Sequence, residues 1–249
     1  MDYWQGGILI LVGCVAGFMN VMAGGGSLLS VPVMVFMGMP GPVANGTNRI
    51  AILAQNITAV TTFFRKGYAD FKLSLTLSLS AIPGAIAGAL LGTRLQGVWF
   101  NRTLAVIMIC VMYLMARKKK PDDTGTKTGG KPKNLLLGHL LMLGVGYWGG
   151  FIQMGVGFII MPVLHRVMGL DLVQVNMHKV FIIGMYSIVA LFIFASRVEV
   201  LWLLGACLAV GNSIGGWLGV HMSVMKGEGL IRMVLNTILT LFIIKLLFF

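Results

Sequence analysis

Apolar segments long enough to cross a bilayer recur along almost the whole chain. Four examples cover residues 46–64, 73–93, 98–116 and 175–196. Each has about 20 residues, the number that an α-helix needs to span a hydrocarbon core of ~30 Å. Because a backbone inside lipid must satisfy its own hydrogen bonds, we predict an all-α integral membrane protein that crosses the bilayer several times.

The composition agrees with a membrane environment. The 249 residues are 57% hydrophobic and only 10% charged, with a formal net charge of +12. Such a charge also occurs in proteins that bind nucleic acid, but here the basic residues fall in loops and at helix ends, as the positive-inside rule requires. We therefore expect the lipid bilayer, and no nucleic acid, as a partner. Residues 6–22 lack the basic start and cleavage site of a signal peptide and should be retained.

The cysteines do not indicate a metal or a cofactor. Cys14, Cys110 and Cys207 all lie within apolar segments, far from any CxxC or His-rich spacing. We interpret them as small hydrophobic residues and the 18 methionines as flexible packing. No cofactor and no metal site are predicted.

The two halves of the chain repeat each other. Residues 17–20 align with 150–153, and the glycine break at 24–26 then falls near 155–157. The alignment continues with Pro32 on Pro162, and further on it places Asn48 opposite His178 and Arg49 opposite Lys179. Because polarity and charge recur together, we predict two tandem homologous repeats, covering 1–116 and 134–249.

A basic linker separates the repeats. Residues 117–133 are polar and rich in Lys, Gly and Pro, so they can neither enter hydrocarbon nor pack a core. We expect this linker to be cytoplasmic. Its GxxxxGK stretch at 125–131 is followed by Pro132 where a phosphate-binding loop needs Ser or Thr, so we reject that function.

Rows of glycines spaced four apart predict close helix packing. They recur in both repeats, at Gly84, Gly88 and Gly92 and again at Gly211, Gly215 and Gly219. Small residues on one helix face let neighbouring backbones approach where lipid gives no hydrophobic drive for association. We interpret these rows as structural, not as cargo contacts.

Each repeat is expected to begin with a broken helix. The segment 6–39 would run ~50 Å as one helix, well beyond the hydrocarbon thickness, and its consecutive glycines are the natural break. The segment 135–169 repeats this pattern, and three spanning helices follow each break. If each broken segment returns to its own side, the repeats are inverted; if it crosses once, they are parallel. The distribution of Lys and Arg allows both, and we favour inversion because inverted repeats with broken helices build central sites.

The breaks are the first candidate site. A helix that begins after a glycine break presents unpaired N–H groups and the positive end of its dipole, which suits an anion. The alternative is that the glycines only permit close packing. Ser27 is a natural N-cap and an additional donor. The candidate cargo-binding residues here are Asn20, Gly24, Gly25, Gly26, Ser27, Gln153, Gly155 and Gly157.

Polar residues inside the following helix of each repeat complete the candidate site. Such residues are costly in lipid and usually face the protein interior. They are Asn45, Thr47, Asn48, Arg49, Gln55 and Asn56 in the first repeat and Asn176, His178 and Lys179 in the second. Arg49 and Lys179 are close enough to their helix starts to reach the interface instead. His178 could titrate and couple proton movement, or stay neutral and hydrogen-bonded.

The acidic residues argue against a cation as cargo. Asp171 stands at a predicted loop, and the other acidic residues stand at the termini or in loops. No buried carboxylate is therefore available to hold sodium or relay protons. A small anion is the expected cargo.

The motifs of the first repeat closely resemble those of the TauE/SafE sulfite exporter family, also called the 4-toluene sulfonate uptake permease group. The resemblance rests on Asn20, the segment 24–27, Pro32 and the segment 44–48, and it extends over essentially the whole chain. The second-repeat motif departs from the family pattern at His178 and Lys179. The resemblance implies a bacterial inner-membrane secondary carrier of sulfite, sulfonates, thiosulfate or related organosulfur and carboxylate anions.

Two other functions remain as alternatives. A passive anion channel would have a similar composition. An intramembrane hydrolase would use Ser27 as nucleophile and His178 as base, although no serine-enzyme motif surrounds Ser27 and the second repeat has no equivalent serine. Coupling to a proton or another ion, and assembly into a homo-oligomer, are both compatible with the sequence.

Overall fold

The computed structural model describes residues 3–68, 70–95, 97–116 and 132–225, and this part of the chain is helical with no β-strand. The predicted all-α class is confirmed. Nine α-helices and one π-helical turn are present in the described residues: α1 Tyr3–Ala23, α2 Ser27–Phe36, α3 Gly41–Arg65, α4 Phe71–Gly92, α5 Gly97–Ala116, α6 Leu135–Phe151, α7 Val156–Pro162, the π-helical turn Val163–Val167, α8 Leu172–Arg197 and α9 Trp202–Met225.

Four of the described helices are long and apolar enough to cross a membrane, and they cover Trp4–Met22, Phe71–Gly92, Leu172–Arg197 and Trp202–Val224. Large apolar side chains on the helix surfaces stay exposed, among them Leu11 and Phe192 at 72% each and Leu136 at 77%. In water, apolar surface on this scale would promote aggregation, whereas a bilayer covers it. The chain is therefore a multi-pass membrane protein.

The first predicted break is present and reverses the chain. Helix α1 ends at Ala23, Gly24 takes a left-handed φ of 76°, and α2 starts at Ser27. A side chain added at Gly26 would collide with the carbonyl oxygen of Ala16, so α2 folds back beside α1. The predicted N-cap role of Ser27 is wrong: Gly26 occupies the N-cap position and Ser27 is the first helical residue.

The second break is present too, but it begins earlier than predicted. Helix α6 ends at Phe151, and residues 152–155 form the break, with Gln153 and Gly155 at left-handed φ values of 65° and 68°. Gly157 is not part of the break, because it lies within α7. The indole Nε1 of Trp148 donates to the carbonyl oxygen of Met154 at 2.9 Å and ties the break to α6.

The second broken segment is also a hairpin. The N–H of Lys133 donates to the carbonyl oxygen of Met168 at 2.9 Å, and Asn134 Nδ2 donates to that of Val167 at 3.1 Å. These bonds join the start of α6 to the end of the π-helical turn that continues α7. The segment that enters with α6 therefore returns to the side on which it began.

The glycine rows pack as predicted. Side chains added at Gly84 and Gly88 would collide with the backbone of α6 at Leu143 and Tyr147. At Gly211 and Gly215 they would collide with the backbone of α1, at Ile10 and Cys14. Helices α4 and α6, and likewise α1 and α9, therefore touch backbone to backbone.

The contacts also give the helix directions. Along α1 and α9 the contacting positions rise together, from Ile10 with Gly211 to Phe18 with Gly219, so these helices are parallel. Helix α3 is antiparallel to α8, since Gly46 meets Phe194 while Asn56 meets Gly184. The contacts of the other helix pairs agree, so that α1, α3 and α9 run in one direction and α4, α6 and α8 run in the opposite direction.

Three predictions fall outside the described residues. They are most of the linker at 117–133, the third spanning helix of the second repeat in 226–249, and the phosphate-loop-like stretch at 125–131.

Candidate functional site

The polar residues of α3 face the protein interior. Asn45, Thr47, Asn48, Arg49, Gln55 and Asn56 are all at most 1% exposed. Lys179 on α8 is 0% exposed, as is Arg49, so the alternative in which these two cations reach the membrane interface is wrong. Burial of so many polar groups indicates an internal site, because a polar group is costly to bury without a partner.

Arg49 and Asn45 hold the end of α6. Arg49 Nη1 donates to the carbonyl oxygen of Gly149 at 3.2 Å, and Nη2 donates to that of Gly150. Asn45 Nδ2 donates to the carbonyl oxygen of Phe151 at 2.9 Å. These are the last three carbonyl groups of α6, which have no acceptor role within the helix, and the positive guanidinium suits the negative end of the helix dipole.

Lys179 holds the end of α1 in a similar way. Its Nζ donates to the carbonyl oxygen of Val21 at 2.6 Å and to Asn176 Oδ1 at 2.7 Å. Asn176 Nδ2 in turn donates to Ser223 Oγ on α9 at 2.7 Å. Each cation therefore reaches, from one half of the chain, the helix end that precedes the break of the other half.

Among the described residues, no carboxylate lies beside the positive charge of Arg49. Its guanidinium lies over the ring of Phe194, with Cζ 4.4 Å from the ring centroid, and its remaining partners are the carbonyl groups of α6. In the described part of the chain the carboxylates stand in the connections between helices: Asp70 and Asp171 cap α4 and α8, and Glu199 is exposed between α8 and α9.

The start of α2 is bordered by α3. Intrahelical bonding begins with Leu28, whose N–H donates to the Gly25 carbonyl oxygen, so the N–H groups of Gly26 and Ser27 have no acceptor within α2. Asn48 Nδ2 donates to Ser27 Oγ at 3.1 Å and Asn48 Oδ1 accepts from Ser30 Oγ at 2.6 Å. The predicted site residues Ser27 and Asn48 are thus brought together.

The first break touches the start of α7, which directly follows the second break. The N–H of Gly157 donates to the carbonyl oxygen of Gly24, with 3.2 Å between N and O. A side chain added at Gly24 would collide with the Cα atom of Gly157, so position 24 requires glycine. Gly157 therefore uses its N–H for this contact. At the start of α2, by contrast, the N–H groups of Gly26 and Ser27 have no acceptor within their own helix.

Three other predicted residues are hydrogen-bonded to residues of other parts of the fold. Asn20 Nδ2 donates to Gln55 Oε1 at 2.9 Å. Thr47 Oγ1 accepts from the N–H of Leu201 at 3.1 Å and ties α3 to the start of α9. His178 is 1% exposed and its Nδ1 lies 2.8 Å from Ser74 Oγ.

Ser27 and His178 do not form a nucleophile and base pair. Ser27 Oγ accepts from Asn48, and the Nδ1 atom of His178 is bonded to Ser74.

The three cysteines are free, and no metal-binding group of His, Cys, Asp or Glu occurs among the described residues.

Several buried polar residues were missed by the sequence analysis. Tyr186, Ser187 and Asn212 are at most 1% exposed, and their side chains have polar atoms without a hydrogen-bond partner in the described structure. A signal for Tyr186 was present, because it stands seven residues after Lys179, two turns along the same helix face.

A cavity of about 500 Å³ opens away from the breaks. It lies at the turn between α2 and α3, and it contains none of the predicted site residues. Its polar lining includes Asn101 and Glu199.

Comparison with known proteins agrees with the motifs. The profile of the family described as "Sulfite exporter TauE/SafE" matches residues 9–246. The "Probable membrane transporter protein YfcA" of Escherichia coli (strain K12) is 27% identical over 97% of this chain and 89% of its own length. A "Probable membrane transporter protein" of Haemophilus influenzae is 26% identical over 90% of this chain and 88% of its own length. No solved structure is significantly similar to this chain.

Proposed function

Because this chain belongs to the sulfite exporter TauE/SafE family and is a membrane transporter, we propose that it is a secondary carrier of a small oxyanion of the sulfite or sulfonate type. The cargo binds between the two breaks and crosses the bilayer by alternating access.

The observation that carries this proposal is the buried, acid-free cation beside the breaks. A buried charge is costly unless it is paired, and the end of a helix dipole supplies only about half an elementary charge. Arg49 is 0% exposed and is bonded to the end of α6 instead of to a carboxylate. An anionic cargo would complete the compensation, whereas a cation would add to the repulsion.

The start of α2 supplies a second attraction for an anion. The N–H groups of Gly26 and Ser27 stand at the positive end of a ten-residue helix, and the break beside them is buried by the other break. Asn48 and Ser27 are already hydrogen-bonded to each other, and they can exchange these bonds for bonds to an oxyanion.

Matching contacts support the proposal that the two halves are repeats. The α6 residues Leu143, Tyr147 and Phe151 each stand 133 positions after the α1 residues Ile10, Cys14 and Phe18. The glycines that pack on them, on α4 and on α9, differ by 127 positions. The same register of contacts therefore occurs twice.

Inversion of the repeats is part of the same proposal. Each half begins with a hairpin that returns to its own side, and three helices, α3, α4 and α5, then separate the first hairpin from the second. An odd number of crossings reverses the second half, in agreement with the opposite directions of α1 and α6. In a carrier with inverted repeats, the contacts that close the site towards one side of the membrane open while those towards the other side stay closed.

The orientation follows from the charge of the linker. Residues 117–133 are rich in Lys and Arg, so the side on which α5 ends and α6 begins is cytoplasmic. We place the carrier in a bacterial inner membrane, since its relatives include membrane transporters of Escherichia coli and Haemophilus influenzae.

Binding of anions to the purified full chain tests this proposal. In detergent, sodium sulfite and sodium methanesulfonate should raise the thermal unfolding midpoint in a saturable way, because a ligand that binds the folded state stabilises it. Sodium chloride at the same ionic strength is the control. Equal shifts with all three salts would mean that no specific oxyanion site exists.

A further inference from the structure

Tyr186 is the largest missed residue with an unsatisfied polar atom at the breaks. It lies on α8, is 0% exposed, and its hydroxyl has no hydrogen-bond partner among the described residues. The hydroxyl lies against Gly149, where an added side chain would collide with it. Because a buried donor without a partner is unfavourable, its presence here needs an explanation.

Arg49 presents another unused donor at the same place. Its Nη1 is bonded to the carbonyl oxygen of Gly149, the residue that the Tyr186 hydroxyl touches, while its Nε has no partner. The guanidinium and the hydroxyl are close enough to interact electrostatically. Two donors without a partner, one of them on a positively charged group, therefore lie near the end of α6.

Gln153 adds a third unsatisfied group. Its side chain lies close enough to the Tyr186 hydroxyl to exchange a hydrogen bond with it, it is 2% exposed, and its Oε1 accepts no hydrogen bond from a described residue. The left-handed backbone of Gln153 turns this residue out of the helical path of α6. Rotation of the terminal amide exchanges its oxygen for its NH₂ group.

We propose that Tyr186 is a cargo-binding residue, and that its hydroxyl, Arg49 Nε and the Gln153 amide form an oxyanion-binding subsite beside the C-terminal end of α6. This inference rests on the proposed anion carrier. It names the residues beside the second break that bind the cargo. A sulfur oxyanion fits because it offers several acceptor oxygens on one centre and a negative charge for Arg49.

The first half of the chain contains a related set. Asn56 stands 130 positions before Tyr186, is 1% exposed, and its Nδ2 is also without a partner among the described residues. In the same register Lys179 corresponds to Arg49, and Asn20 corresponds to Gln153 in the register of the hairpins. An aromatic hydroxyl in one set and an amide in the other make the two sides of the cargo site chemically different.

The substitution Tyr186→Phe tests the subsite, because it removes only the unsatisfied hydroxyl. Sodium sulfite is titrated against the full chain in detergent and the unfolding midpoint is followed. We expect the half-saturating sulfite concentration to rise about tenfold, the usual effect of one hydrogen bond to a charged ligand. Without sulfite, the midpoint should stay the same or rise, since an unpaired buried donor is removed.

Tyr147→Phe is the matched control, because it removes a hydroxyl from a tyrosine of α6 that is 42% exposed. It should change neither the midpoint nor the sulfite dependence. Gln153→Glu is the second variant: it has nearly the same size but adds a negative charge, so it should weaken sulfite binding still more.

The inference is overturned if Tyr186→Phe binds sulfite like the wild type. If the unfolding midpoint of this variant is also lower without sulfite, the role of the hydroxyl is structural. If the wild type itself responds to no oxyanion, the proposed function fails along with the subsite. Binding by the wild type with unaltered binding by the variants removes the subsite alone.

Discussion

Gly157 donates its backbone N–H to the carbonyl oxygen of Gly24, and no room is left between them for a side chain at Gly24. Residues 133 positions apart thus join the first break to the start of α7, the helix that follows the second break. The start of α7 therefore covers the irregular backbone of the first break with protein, as such backbone requires inside a bilayer.

The contact at Gly24 predicts a large effect of Gly24→Ala. The new side chain would meet the Cα of Gly157 and would also stand at a left-handed φ of 76°. We expect a loss of several kcal/mol, roughly 1–2 from backbone strain and the rest from the displaced break, measured as the unfolding midpoint in detergent.

Gly38→Ala is the control for Gly24→Ala. Gly38 has a φ of 90°, but nothing lies within 4 Å of an added Cβ atom. It should therefore show the strain alone. Equal losses in the two variants would mean that the breaks are not packed against each other.

Arg49→Met should destabilise the protein and abolish transport. The substitution leaves the carbonyl groups of Gly149 and Gly150 without their donors, and each hydrogen bond to a charged group contributes about 1.5–3 kcal/mol. Arg65→Met, at the exposed end of the same helix, removes the same charge at the surface and should have little effect. Unfolding midpoints and sulfite uptake into liposomes measure both effects, and normal uptake by Arg49→Met would remove Arg49 from the mechanism.

Asn176 and Lys179 should behave as one unit. Their side chains are bonded at 2.7 Å, and together they link α1, α8 and α9. In a double-mutant cycle of Asn176→Ala and Lys179→Met, we expect a coupling free energy of about 0.5–3 kcal/mol. Asn45→Ala, which acts on the end of α6, serves as the comparison, and equal coupling of Lys179 to Asn45 and to Asn176 would argue against a local role.

Gly88→Ala should separate α4 from α6. The added methyl group would collide with the carbonyl oxygen of Tyr147, and overpacking of this kind costs about 1–3 kcal/mol. Gly144→Ala lies on α6, and nothing is within 4 Å of its added Cβ atom, so it should be neutral or stabilise the helix by up to about 1 kcal/mol. If Gly88→Ala is as stable as Gly144→Ala, the close packing of the glycine row is not needed.

The sequence was sufficient to locate the first break and most of the buried polar residues of α3. Consecutive glycines at 24–26 interrupt α1 as predicted, since their helix propensity is low whatever surrounds them. Asn48 was expected in the interior because polar groups within apolar segments are costly in lipid. For Arg49 and Lys179 the sequence left both the interior and the membrane interface open, and their burial decides for the interior.

The details that depend on tertiary contacts were not predictable. Helix α6 ends at Phe151, four residues before Gly155, because Asn45 and Arg49 of a distant helix satisfy its last carbonyl groups. Gly26 takes the N-cap position in place of Ser27, whose hydroxyl accepts a hydrogen bond from Asn48. Pairings of this kind join residues far apart in the chain, and local propensity contains no information about them.

Counterflow of labelled sulfite in liposomes tests the central claim most directly. A carrier whose site alternates between the two sides should accumulate labelled sulfite faster when unlabelled sulfite is present inside, its rate should saturate, and Gly24→Ala should abolish both properties while Gly38→Ala retains them. A rate that rises linearly with sulfite, ignores the internal anion and survives Gly24→Ala would contradict an alternating site at the two breaks.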